Sequence, residues 1–380
     1  MVNGWAFNPQ SALEIHRRAI VIDTHVDTPQ RLLDEEFDLG ARAADGHLDI
    51  PRMREGGLDA AFFSIWVEPK YEPHFTARAL ALIDSVLDQV ERHPRDLELA
   101  RTAADIRRLE AAGKIAVLMG VEGGHALEDN PRVLDVFYRL GVRYMTLTWS
   151  NSTSWAGSSG DSGRERGLSP MGREIVARMN RLGMMVDISH VSDPTFYDTL
   201  KVTRAPVIAS HSSARALSNV PRNMTDDMIR ALAKNGGVVQ INFYSAFLDS
   251  NYAAGYARVR AKHREEEKRL EEQFKGDLAR LARQKRRLEL EYDARLPRPD
   301  LGRIADHIDH VVKLVGVDHV GLGSDFDGAM VPRGMEDVSR LPQLTAELVR
   351  RGYRQPDLVK ILGGNLLRVM EQVEQKKLNH

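Results

Sequence analysis

Short apolar runs rich in β-branched and aromatic residues recur along this chain, and stretches of helical periodicity separate most of them. This alternation constrains the fold more than any other feature. It calls for βα units and a parallel sheet covered by helices. Eight runs have this character, at 19–23, 60–67, 115–121, 144–148, 184–188, 207–210, 237–243 and 319–323. Their cores, among them FFSIWV, IAVLMGV and GVVQINF, are nearly continuous in apolar residues, as strands buried on both faces should be. Between them, 76–91 and 171–182 read as amphipathic helices, the second with Ser169 and Pro170 as cap and first-turn pair. Thr225 caps a third, with two aspartates in its first turn. Eight such units closing on themselves make an α/β fold of the (β/α)8 TIM type. The pattern alone is also compatible with an open doubly wound sheet. With 380 residues, 42% of them hydrophobic, the chain can build one barrel domain spanning 1–380.

One segment breaks the rhythm. Residues 252–299 include AKHREEEKRLEEQFKGDLARLARQKRRLELEYDARLP, dense in charge and in good helix formers. A thin apolar stripe runs through Leu270, Phe274, Leu278 and Leu281. The segment predicts a long helix, or a helical hairpin turning near Gly276, inserted after the seventh strand. Two roles are open to it: a solvated excursion packed on its own barrel, or a lid edge or subunit contact. Its acids and bases are mixed, and the whole chain carries 53 basic and 54 acidic residues for a net charge of -1. A nucleic-acid surface would leave a basic excess. There is no cysteine. Disulfides, thiol catalysis and thiolate metal sites are therefore excluded, and any homodimer is non-covalent. A metal site must use imidazole and carboxylate, which suits zinc and its first-row neighbours. The sequence has no apolar leader core and no run of about 18 apolar residues. The expectation is a soluble, cytoplasmic protein without a membrane anchor.

The chemistry is carried by polar residues just past the ends of several strands, which in a barrel all face one mouth. The first strand ends in D-T-H-V-D. His25 and Asp27 are two apart and point to the same side of an extended chain, so both can grip one ion. The third ends in G-V-E-G-G-H, where Glu122 can bridge two ions through its two oxygens or, in the plainer reading, cap a turn or pair with an arginine. His125 in that motif lies beyond the turn and reads as a packing or supporting residue. His190 follows the fifth strand and His211 the sixth. Asp187 either orients a ligand or sits in a loop network. The eighth strand ends in G-L-G-S-D-F-D-G. Asp325 is placed to take a proton from a metal-activated water and return it to a leaving group, and Asp327 reads as structural. Together these residues describe a two-metal hydrolytic centre, in which two ions share a water and lower its pKa.

The chain resembles the membrane (renal) dipeptidases, a branch of the amidohydrolase superfamily. The matching motifs are DTHVDTP, GVEGGHAL, RYMTLTWSNSTSWA, VDISHVSD, IASHSSARAL, PRNMTDD, VVQINFYS and GLGSDFDG, in family order from residue 23 to about 328, with GGNLLRV near 363. The resemblance implies a (β/α)8 barrel with two zinc ions per chain and hydrolysis of dipeptides by a metal-bridging hydroxide, often tolerant of a D-residue at the C-terminal position. It further implies that His25 and Asp27 hold the first ion, Glu122 bridges, and His190 and His211 hold the second. Asp325 becomes the proton-transfer carboxylate. Arg222 engages the substrate carboxylate, in a pocket lined by Tyr244. One departure stands at the site. Family members commonly read T-L-T-H after the fourth strand, where the histidine contacts the substrate carbonyl oxygen, and this chain reads T-L-T-W, placing Trp149 there. Indole can donate one hydrogen bond but cannot become cationic. Loss of one oxyanion donor can cost roughly a hundred- to a thousandfold in turnover. The rival readings are another amidohydrolase reaction, on an N-acyl amino acid, amide or lactone, and a catalytically silent barrel that binds metal or peptide.

Overall fold

The computed structural model describes residues 9–377. Nine strands form one parallel sheet: β1 (Ile22–Val26), β2 (Ala60–Trp66), β3 (Leu97–Leu99), β4 (Ile115–Glu122), β5 (Val142–Thr146), β6 (Met185–Asp187), β7 (Ile208–Ser212), β8 (Val238–Ile241) and β9 (Val320–Leu322). Hydrogen-bonded neighbours follow the order β1-β2-β4-β5-β6-β7-β8-β9. These correspond to the eight predicted runs. β3 lies off this path and pairs with the start of β4, Leu97 opposite Ile115 and Leu99 opposite Val117. Its three residues, Leu-Glu-Leu, are too short a signal to read from sequence.

The first and last strands meet, which sequence pattern could not show. Val26 bridges Phe326 in parallel. Asp27 N donates to Phe326 O at 2.8 Å, and Asp325 N donates to His25 O at 2.9 Å. The Asp23 carboxylate accepts from Ser324 N at 2.9 Å, adding a side-chain tie between the same two chain segments. The sheet is thus a barrel of eight staves, joined at its mouth by the residues that follow β1 and β9.

Alternation along each strand sorts the core into two layers. Ile22, Ala60, Phe62, Ala116, Leu118, Tyr144, Met185, Ile208 and Val238 pack together with Leu366, Leu367, Val369 and Met370 of the last helix, Asn365–Glu374. That helix packs against one end of the barrel interior and serves as its floor. The intervening residues, such as Ala61, Phe63, Val117 and Met119, pack outward against the surrounding helices. Those helices begin where their caps predict. Ser169 accepts from Gly172 N, and Thr225 accepts from Met228 N.

The charged insertion is a hairpin of two helices, Ser250–Gln273 and Leu278–Asp293, following β8, the seventh stave. The turn falls at 274–277, around Gly276. The apolar stripe therefore does not run along one helix: Phe274 caps the end of the first and Leu278 opens the second. At the base, Tyr252 OH donates to Asp293 at 2.7 Å. Farther along, Arg286 donates to Glu35 at 2.6 Å and to Asp45 at 3.1 Å, fixing the hairpin across the mouth of the barrel to the segment after β1.

A buried histidine makes this fold acid-sensitive. His307, on helix Gly302–Val315, is fully buried. Its Nδ1 accepts from Ala214 N at 3.0 Å and its Nε2–H donates to Leu248 O at 3.0 Å, so the neutral ring joins two loops near the site. Burial pushes its pKa down to about 4; the Leu248 carbonyl and Asp306 oppose the shift, and Arg303 and His310 add to it. An unfolded histidine takes up its proton near pH 6.5, and this folded one does so only near 4. The stability held by the neutral ring is therefore complete above about 6.5 and drains as the pH falls towards 4, by about 2 kcal/mol at pH 5. His307→Gln should flatten that part of the stability profile in chemical denaturation at pH 7 and pH 5. Parallel pH slopes for the two proteins would refute the assignment.

Candidate active site

The predicted site residues converge at the carboxyl ends of the staves. His25 lies in β1, Glu122 ends β4 and His211 lies in β7. Asp27, His190 and Asp325 follow β1, β6 and β9. His25 Nε2 is 3.7 Å from Asp27, 3.4 Å from Glu122 and 4.0 Å from Asp325. On the other side, Glu122 Oε1 is 2.8 Å from His190 Nε2 and 3.3 Å from His211 Nε2, and these two nitrogens are 2.9 Å apart. Glu122 therefore stands between a His25–Asp27 half and a His190–His211 half. Gly123, at φ 107°, turns the chain directly after it; an added Cβ would meet the His125 ring at 2.4 Å. His125 itself turns away, its Nε2 bonded to Val67 O at 2.8 Å and its ring edge-on to Phe75. His190 and Asp325 both have φ 66°, an unfavourable left-handed backbone for such residues. Bonds from Ser159 N to His190 O and from Asp325 N to His25 O help hold them there.

Two hydrogen-bond chains aim lone pairs into this cluster. Tyr144 OH donates to Thr24 O at 3.1 Å, so its oxygen accepts from His25 Nδ1–H at 2.9 Å. Ser210 Oγ donates to Asp187 at 2.6 Å and accepts from His211 Nδ1–H at 2.8 Å. Asp187 is held in turn by Thr146 Oγ1 and by the backbone N–H groups of Ser189 and Ser210. It thus supports the His211 ring through Ser210. Both imidazoles turn their Nε2 to the centre. His25 Nε2 and Asp27 Oδ1 are buried without a hydrogen-bond partner. Burial, and then the negative charge of Glu122 and Asp325, push the Asp27 pKa up to about 7, against the pull of His25. Burial disfavours a charged His25, yet Tyr144, Glu122 and Asp27 outweigh it and raise its pKa well above the ordinary value, so the cluster favours positive charge at its centre. The donor set fits divalent cations, with imidazole and carboxylate as the only ligand types.

Sequence reasoning missed Tyr144 and Ser210, because a tyrosine inside a strand and a serine beside a histidine carry no signal of their own. Gly120 hints at the first, since a Cβ there would meet the Tyr144 ring at 2.0 Å. Tyr144→Phe removes the acceptor for His25 while keeping the ring beside Phe62. It is expected to weaken metal retention about 10- to 100-fold in competition with a chelator. Unchanged affinity would show that His25 needs no such support.

Asp325 and Arg222 lie at the same centre. Asn242 Nδ2 donates to Asp325 Oδ2 at 2.9 Å, leaving Oδ1 towards His25. Asp327 instead accepts from Thr28 Oγ1 and His47 N, a structural role. Arg222 donates to Ser212 Oγ at 2.8 Å and His211 O at 2.7 Å, and its guanidinium lies 5.5 Å from the Phe247 ring centroid. It pairs with no carboxylate among the described residues. Burial pulls its pKa down to about 10 while Asp325, Glu122 and Asp187 raise it, so it remains a cation at neutral pH. Tyr244 packs edge-on against Phe247, 4.8 Å between centroids.

A cavity of about 560 Å³ opens over the cluster, lined by Asp27, Glu122, His190, His211, Tyr244 and Asp325. Trp149 lines it too, 5.0 Å from Trp66 and 6.3 Å from His190 between ring centroids. Its indole N–H makes no hydrogen bond among the described residues. Leu278, Leu281 and Glu289 bring the hairpin into the wall. No helix among the described residues is long and apolar enough to cross a membrane.

Comparison with known proteins follows the same lines. The model of the membrane dipeptidase family, peptidase family M19, matches residues 9–380. A dipeptidase of Schizosaccharomyces pombe is 36% identical over 388 residues, covering 95% of this chain and 82% of its own length. The crystal structure of the probable dipeptidase PvdM from Pseudomonas aeruginosa superposes with a TM-score of 0.83 at 28% identity, over 97% of this chain and 98% of that one. A metallopeptidase from Rhodobacter sphaeroides, liganded with a phosphinate mimic of the dipeptide L-Ala-D-Ala, superposes with a TM-score of 0.75 at 29% identity, over 93% of this chain and 99% of that one.

Proposed function

Since this chain belongs to the membrane dipeptidase family, peptidase family M19, and is a metallo-dipeptidase, we propose that it cleaves the peptide bond of dipeptides with two zinc ions per chain. His25 and Asp27 would hold one ion and His190 and His211 the other, with Glu122 common to both halves. The observation that carries this reading is the placing of the Glu122 carboxylate between the two halves, with the Nε2 atoms of His25 and His211 turned to it on either side. When bound, a metal pair would supply an acidified water as nucleophile and polarise the scissile carbonyl.

The remaining work falls to the chain itself. Arg222 receives the C-terminal carboxylate of the substrate, with Tyr244 beside it. A buried guanidinium without an acidic partner has two donors to offer an incoming carboxylate. Asn242 fixes Asp325 so that its free oxygen takes the proton of the attacking water and passes it to the leaving amine. Trp149 offers its unbonded indole N–H beside His190, on the side where the substrate carbonyl comes to lie. Because the Rhodobacter metallopeptidase is liganded with a mimic of L-Ala-D-Ala, the proposal extends to substrates with a D-residue at the C-terminal position.

The test is elemental analysis of the purified protein, followed on the same sample by a panel of L,L and L,D dipeptides. About two zinc equivalents per chain with cleavage of some dipeptide is the expected result. Two metals without dipeptide turnover would move the proposal to another amide, with Trp149 as the first residue to revert to histidine. No metal after reconstitution would overturn it.

A further inference from the structure

From the aromatic wall across the barrel mouth from Arg222, we infer that this enzyme selects dipeptides whose N-terminal residue carries a large apolar or aromatic side chain. The inference rests on the dipeptidase reading and adds to it the class of substrate. In the ring of eight staves, β7 stands opposite β2. Arg222 is bonded to two residues of β7, Ser212 and His211. Trp66 is the last residue of β2. A dipeptide held by its carboxylate at Arg222, with its scissile bond over Glu122, directs its N-terminal residue towards Trp66.

That side of the cavity is built from large apolar surfaces. Trp66 and Trp149 meet at a 53° tilt, and Tyr71 stands near them in the cavity wall. The hairpin supplies Leu278 and Leu281 from above. Leu278 is 47% exposed, and closing a substrate side chain beneath it would take that apolar surface out of water. The basic residues around this wall are already paired. Lys70 bonds Glu68, Lys285 bonds Glu271, Arg78 bonds Asp34, and Arg286 bonds Glu35 and Asp45. Among the described residues, those pairs leave no free cation on this wall to attract an acidic side chain. The hairpin carboxylate Glu289 interacts with Tyr244, on the carboxylate side of the cavity. A stacked aromatic wall favours flat or branched apolar groups, which gain area and aromatic contacts there. Trp149, at the position where the family commonly has histidine, extends that wall towards the reacting centre.

The experiment measures kcat/KM of the zinc-loaded full chain for Phe-Ala, Leu-Ala, Gly-Ala and Asp-Ala. Phe-Ala and Leu-Ala should exceed Gly-Ala and Asp-Ala by about 10- to 200-fold. Trp66→Ala should lower the ratio of Phe-Ala to Gly-Ala at least about tenfold, and Leu281→Asp, on the separate hairpin, should lower it in the same direction. A flat profile across the four substrates, or a ratio unmoved in both variants, would overturn the inferred pocket while leaving the dipeptidase reading in place. No turnover of any dipeptide by the fully metallated protein would overturn both.

Discussion

Asp325→Asn is expected to lower kcat more than about a thousandfold while leaving metal content and fold in place. The substitution is chosen for what it preserves. Asparagine tolerates the left-handed backbone that Asp325 adopts at φ 66°. Its side-chain oxygen can still accept from Asn242, the bond that fixes Asp325 at 2.9 Å. What it cannot do is carry a proton between the attacking water and the leaving amine. The loss should therefore appear in kcat rather than in KM, which reports the hold of Arg222 on the substrate. Metal analysis and a thermal scan of the same sample separate this outcome from simple damage. Near-normal turnover with two metals bound would remove Asp325 from the mechanism.

Removal of the metal should have the second large effect. Dialysis against a chelator is expected to abolish dipeptide hydrolysis and lower the melting temperature by several degrees, and added zinc should restore both. Glu122, Asp27 and Asp325 place three acidic groups around His25. Burial first, and then the negative charge of Glu122 and Asp325, push the Asp27 pKa up to about 7, so a cation there would relieve a strained charge. A ligand present at about a thousand times its Kd stabilises the folded state by about 4 kcal/mol, and its removal withdraws that contribution. Turnover persisting in protein without measurable metal would contradict the assignment of His25, Asp27, Glu122, His190 and His211 as ligands of a catalytic metal pair.

The parts of this molecule legible in its sequence were those with a period or an abrupt change of character. Buried strands announce themselves as apolar runs, and an abrupt polar residue at the end of such a run, like Glu122 after IAVLMGV, announces the barrel mouth. The charged hairpin stood out by composition, but its place over the cavity did not, because nothing in residues 252–299 names Glu35 or Asp45 as the partners of Arg286. The supports of the ligands were hidden for a similar reason. Tyr144 looks like any core aromatic until its hydroxyl is found between Thr24 O and His25. Trp66 reads as the end of an apolar strand, and only the order of staves sets it across the mouth from Arg222. Closure of the barrel through Val26 and Phe326 joins residues 300 positions apart, a relation with no local signature.

That closure also sets a timetable for the growing chain. The donors at the mouth span His25 to Asp325, and the backbone bonds that seat Asp27 and Asp325 are the same ones that shut the barrel. During synthesis the first stave must wait for the last, with one sheet edge exposed, until more than three hundred residues have emerged. Glu122, His190 and His211 can gather earlier, as β4 through β7 are made, but the half-site of His25 and Asp27 is complete only when β9 arrives. With the proposed ligand set, metal loading would wait for completion of the barrel, and a chain stalled short of β9 would expose an unpaired strand edge rather than a working but weaker enzyme.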